Sequence, residues 1–112
     1  MGEKITRKPY VVSIEFEASR KNIHEYTLDT FGYFQAMRYK QKIRQSLDTL
    51  PDFYMVYPEC RHLATKNRIY RNIILDAHLI IYRITDERIE VLNIVHSASN
   101  SSKIRSSRKI HI

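Results

Sequence analysis

Tyr10, Val12, Ile14 and Phe16 alternate with Val11, Ser13 and Glu15, a period of two that predicts a first strand ending at Phe16. Pro9 stands where a strand can begin, because a first or edge residue need not donate to the ladder. From Glu17 the period lengthens. Ala18, Ile23, Tyr26, Thr27 and Phe31 recur at three- and four-residue spacing among charged residues, which predicts a helix of about four turns capped by Gly32. A second helix follows, with Ala36, Ile43, Leu47 and Leu50 on one stripe, and Pro51 is expected to stop it. The short link makes the two helices an antiparallel hairpin that lays its apolar stripe on a sheet.

Residues 51 to 67 read as a loop rich in aromatics, with Phe53 and Tyr57 pinning it to the core and exposed tyrosines able to stack on bases. Three β-branched runs come next: Arg68 to Leu75, Ala77 to Ile84 and Arg88 to His96, with turns at Asp76-Ala77 and Thr85-Asp86-Glu87. Connections this short predict a three-stranded antiparallel meander. The fold expected is two-layer α+β, an N-terminal strand and helix hairpin packed on the meander. One sheet face is expected to be core, while the other carries positive charge to solvent or a ligand, with Arg68, Arg71, His78 and His96 as the candidates and Arg83, one residue past Tyr82, open to either face. The organisation expected is a polar leader over 1–9, one domain over 10–96 and a basic serine-rich tail over 97–112.

Composition adds a class of partner. Of 112 residues, 19 are Lys or Arg and 12 Asp or Glu, a net charge of +7, which favours a polyanion or an acidic protein. Lys103, Arg105, Arg108 and Lys109 lie in the tail with six serines and no acid, so the tail carries more than half of that charge and is expected to be flexible or partly ordered. Cys60 is the one cysteine, so no intrachain disulfide forms and a reducing compartment is the natural home. No apolar run approaches the roughly 20 residues of a membrane span. Together with a charged start lacking an apolar signal core, this predicts a cytoplasmic protein with no membrane partner. No Gly-rich phosphate loop, nucleophile elbow or Cys-pair zinc pattern is present, so nucleotide hydrolase, serine hydrolase and zinc finger are disfavoured.

The ordered elements, with particular residues, resemble the RelE/ParE superfamily of bacterial type II toxins. The matching stretches are the first strand ending in Phe16, Leu47-Asp48-Thr49-Leu50-Pro51, Arg61-His62-Leu63, Tyr70-Arg71, Leu79 to Ile84, and Ile89 to His96. The resemblance spans residues 10 to 96. It implies a small toxin, without metal or cofactor, held inactive by a cognate antitoxin that would be acidic to match this charge. RelE-like members cut messenger RNA in the ribosome, the message's own 2′-hydroxyl attacking the phosphate, whereas ParE-like members inhibit DNA gyrase and cleave no bond.

For the nuclease, the resemblance implies Arg71 and Arg68 stabilising the phosphate and His96 or His78 moving a proton, since imidazole titrates near neutrality. Arg61, Arg83, Lys103 and Arg105 would hold the RNA backbone. Two departures stand against it: Leu79 occupies a position where the family's nucleases commonly carry Arg, and Ser97-Ala98-Ser99-Asn100 follows the last strand in place of cationic, His or Tyr residues. The gyrase alternative would work through the helix pair instead. A third alternative is a degenerate toxin that acts as a basic nucleic-acid-binding protein. The charge inclines the expectation to ribosome-dependent mRNA cleavage.

Overall fold

A computed structural model describes residues 6–112, so Met1 to Ile5 of the leader lie outside the described residues. The order is β1 (Tyr10–Val12), α1 (Ile14–Phe31), α2 (Tyr33–Phe53), a 3₁₀ turn at Arg61–Leu63, β2 (Tyr70–Ile74), β3 (His78–Ile84), β4 (Ile89–His96), α3 (Ser101–Arg105) and a 3₁₀ turn at Ser106–Lys109.

The first strand is shorter than the alternation predicts, because Ser13 interrupts it. Its hydroxyl oxygen accepts the Phe16 N–H at 2.8 Å and so caps α1, while Glu15 and Glu17 complement the positive end of the helix dipole. Phe16 is wholly buried and Ile14 faces solvent, as one turn of helix requires and a strand would not. Gly32 ends α1 as expected. Its φ of 88° suits a residue without Cβ, its N–H reaches the Leu28 carbonyl at 3.0 Å, and its carbonyl starts α2 by accepting from Ala36. A single residue therefore turns the chain from one helix into the next.

Pro51 does not stop α2, which runs on to Phe53. The proline falls in the last turn, where the missing N–H costs one bond, and its carbonyl accepts from Lys8 N–H at 3.2 Å.

The three C-terminal strands form the expected meander, and β1 joins it to give the order β1-β4-β3-β2. β1 runs parallel to β4, Tyr10 opposite Ile89 and Val12 opposite Val91, so the helix hairpin, β2 and β3 make up the crossover between them. A register shift lies between Ile81 and Tyr82: Ile81 pairs with Asn93 and Tyr82 with Val91, leaving Leu92 as the extra residue of a bulge.

Both faces of this sheet are covered. On one, Phe16, Ile43, Leu47 and Leu50 pack against Ile73, Ile80, Tyr82, Ile89, Val91 and Ile94. On the other, Cys60, Leu63, Ile104 and Ile110 pack against Tyr70, Ile81, Leu92 and Val95. The face expected to look outward is thus a second core, closed by the loop before β2 and by the tail. The tail is ordered for a reason its serines conceal: Asn100 caps α3 by accepting from Lys103 N–H at 2.8 Å, and Ile104, Ser107 and Ile110 recur on its inner side.

Ile104 is 1% exposed, so Ile104→Ala should lower stability to urea by about 2–4 kcal/mol, as buried Ile→Ala changes do. A loss under roughly 0.5 kcal/mol, normal for a surface position, would mean that the tail is not part of the core.

Candidate functional site

Glu90 in β4 is buried beneath the tail and accepts from two arginines. Arg83 reaches Oε1 at 2.7 and 2.9 Å, and Arg88 reaches Oε2 at 2.9 and 3.1 Å. Burial alone would raise this carboxyl, but the bonds from Arg83 and Arg88 outweigh it and hold the group below its usual range. The same guanidinium groups reach on to the tail: Arg83 donates to the Ile110 carbonyl at 3.2 Å and Arg88 to that of Ile112 at 3.3 Å. Arg83, expected to hold the RNA backbone, is therefore engaged in pinning the tail to the sheet.

Arg71 is likewise engaged with the protein's own backbone. It donates to the carbonyls of Met55 at 2.8 Å, Tyr57 at 2.9 Å and Arg68 at 3.2 Å, fastening the chain after α2 to β2. Tyr82, opposite it on β3, has its phenol pushed up by burial, stays protonated and donates to the Tyr54 carbonyl at 2.6 Å. Arg68 is exposed at φ 55° and closes a turn through its N–H to the Thr65 carbonyl.

The histidines stand at the other end of the sheet. His78 pairs with His96 across β3 and β4, their rings 5.5 Å apart, while Arg71 pairs with Tyr82, four residues further along β3 or about 13 Å. The cluster of Arg71, Arg68 and His96 that phosphate chemistry would need is not assembled. His78 Nδ1 lies 2.7 Å from the Tyr39 hydroxyl, and His96 Nδ1 accepts the Ala98 N–H at 3.0 Å. Both imidazoles border a groove of about 520 Å³ walled by Ile23, Phe31 and Asp76. Of the remaining residues, Arg61, Lys103 and Arg105 are exposed on the outer side of the tail layer.

The residues that the sequence reading missed sit at the tip of the helix hairpin. Tyr26, Phe31, Tyr33, Phe34 and Met37 are all exposed, Phe34 by 82%. These side chains flank Gly32 where α1 passes into α2, and the Tyr33 and Phe34 rings meet edge to face. The signal was present as Phe31-Gly32-Tyr33-Phe34, a turn written in aromatics where polar residues are the rule. Among the described residues no group of three His, Cys, Asp or Glu could hold a metal ion, and no helix is long and apolar enough to cross a membrane.

An N-terminal strand, a helix hairpin and a meander define the α+β class of the RelE/ParE-like toxins. Residues 10–100 match the family described as ParE toxin of type II toxin-antitoxin system, parDE, and the chain belongs to that family. It is similar in fold to a chain from the chromosomal ParDE toxin-antitoxin system of P. aeruginosa, with a TM-score of 0.67 at 15% identity over 82% of this chain and 98% of that one. A comparison with curated proteins finds no match.

Two tests separate structural from chemical roles. Arg71→Ala leaves three carbonyls without their donor and should cost about 1–3 kcal/mol in urea unfolding. His78 lies below the ordinary imidazole value of 6.5, first because burial disfavours its charge and second because His96 is near. The unfolded chain then takes the proton more readily, so stability is full above that value and is lost as pH falls through the lowered one. Unfolding midpoints measured at neutral and mildly acidic pH should therefore fall less on acidification in His78→Gln than in the parent chain.

Proposed function

We propose that this toxin arrests growth by binding and inhibiting DNA gyrase in the ParE manner, without cleaving RNA. The observation that carries the reading is that the expected cations share no sheet face: Arg71, His78 and His96 lie on the hairpin side with Ile73, Ile80 and Ile94, while the face that carries Arg83 is filled by the tail. Arg71 and Arg83, on opposite faces, are each spent on contacts within the protein, backbone carbonyls for the first and Glu90 for the second. The surface left to work is the helix hairpin, whose aromatic tip supplies large rigid side chains of the kind that dominate protein interfaces. A cognate antitoxin, acidic to match the net charge of +7, restrains the toxin in the cytoplasm.

The test runs purified protein in a gyrase supercoiling assay and, in parallel, in a cell-free translation system read by primer extension. Inhibited supercoiling with an intact messenger is expected. Phe34→Ala should weaken inhibition by roughly 30-fold or more, the effect of losing a hot-spot ring, with an unchanged circular dichroism spectrum. New ribosome-dependent 5′ ends in the messenger would overturn the reading.

A further inference from the structure

The layer that closes the second sheet face is neutralised on its inside and uncompensated on its outside. Facing inward, Arg83 and Arg88 meet Glu90 and the carbonyls of Ile110 and Ile112. Facing outward, Arg61 on one 3₁₀ turn, Lys103 and Arg105 on α3, and Arg108 and Lys109 on the other are all exposed. Both turns pack against α3, so the five cations stand on neighbouring elements of one layer. Residues 97–112 contain no acid, and among the described residues none of the five cations stands in an ion pair. Ile104 and Ile110 anchor this layer in the core, so the cations are held on a folded surface and not on a loose tail.

We infer that this surface binds the backbone of duplex DNA, independently of base sequence. A fixed array of cations with few acids among them gains by releasing counterions condensed on a polyanion. Exposed aromatics, which a single-stranded RNA would use for stacking, lie instead on the hairpin tip and beside the end of α2. Phosphate contacts without stacking or base-edge readout suit a duplex. The choice of DNA over RNA rests partly on the gyrase reading, because gyrase holds duplex DNA. The toxin would then meet the enzyme's protein with its hairpin and the enzyme's DNA with its opposite layer.

The experiment measures fluorescence anisotropy of a labelled duplex about 20 base pairs long, of arbitrary sequence, with the full chain and no gyrase, between roughly 50 and 200 mM salt. Five phosphate contacts predict a slope of log affinity against log salt near −4.5, or a loss of about 500-fold over that range. The double change Lys103→Ala with Arg105→Ala should reduce the slope by about two, while Lys40→Ala, an exposed cation on α2, leaves it unchanged. No binding at the low-salt end, or binding that the double change does not touch, would sink the inference. Tighter binding of single-stranded RNA of equal length would overturn the assignment to duplex. Because gyrase is absent, duplex binding beside undisturbed supercoiling counts against the gyrase reading alone, and inhibition without duplex binding counts against this inference alone.

Discussion

β3 and β4 are apolar on both faces, and that fact constrains everything around them. Leu79, Ile80, Ile81 and Tyr82 run without a polar break, as do Val91 and Leu92, so a sheet built from them has no side to give to water. The helix hairpin can cover one face only. The other must be closed by whatever chain remains, which is the segment before β2 and the last twelve residues. Glu90 lies at the rim of that closure, and a buried carboxylate is tolerable only where cations and hydrogen bonds surround it. Arg83 and Arg88 meet that condition and, in doing so, tie down the tail.

This division of labour decides what the molecule presents outward. Cations on the sheet are consumed in holding the structure together: Arg71 secures the exit from α2, and Arg83 secures the C-terminus. Two exteriors stand out, an aromatic tip where α1 turns into α2 at Gly32 and a basic layer over the second core. Under the proposed reading these two surfaces are the ones that bind. In the histidine pair, burial and the nearby His96 disfavour charge on His78, and Tyr39 and Ala98 already occupy a ring nitrogen of each.

Much of the fold was legible in the residues because its signals are local. The helix hairpin followed from the spacing of Ile43, Leu47 and Leu50 and from Gly32, whose left-handed φ no side chain favours. The meander followed from three β-branched runs joined by short turns. The differences of boundary are also local in origin: Ser13 alternates like a strand residue yet its hydroxyl caps a helix, and Pro51 falls in a last turn where a helix can bear it. The tail was misjudged because composition outweighed pattern, six serines concealing Ile104 and Ile110.

The sequence by itself determined the α+β class, the family likeness carried by Leu79 to Ile84 and Ile89 to His96, and the excess of positive charge. The unbroken apolar run of β3 already implied burial on two faces, although alternation with charged residues at its ends suggested one. Only the tertiary structure decided which cations are free. Whether an arginine meets a phosphate or a carbonyl depends on what lies within reach of a long flexible side chain, and residues as distant in sequence as Arg83 and Ile110 become neighbours only once the sheet and tail have packed. Arg71 on the hairpin side and Arg83 on the tail side are each held by backbone carbonyls far away in sequence, a pairing that exists only in the packed fold.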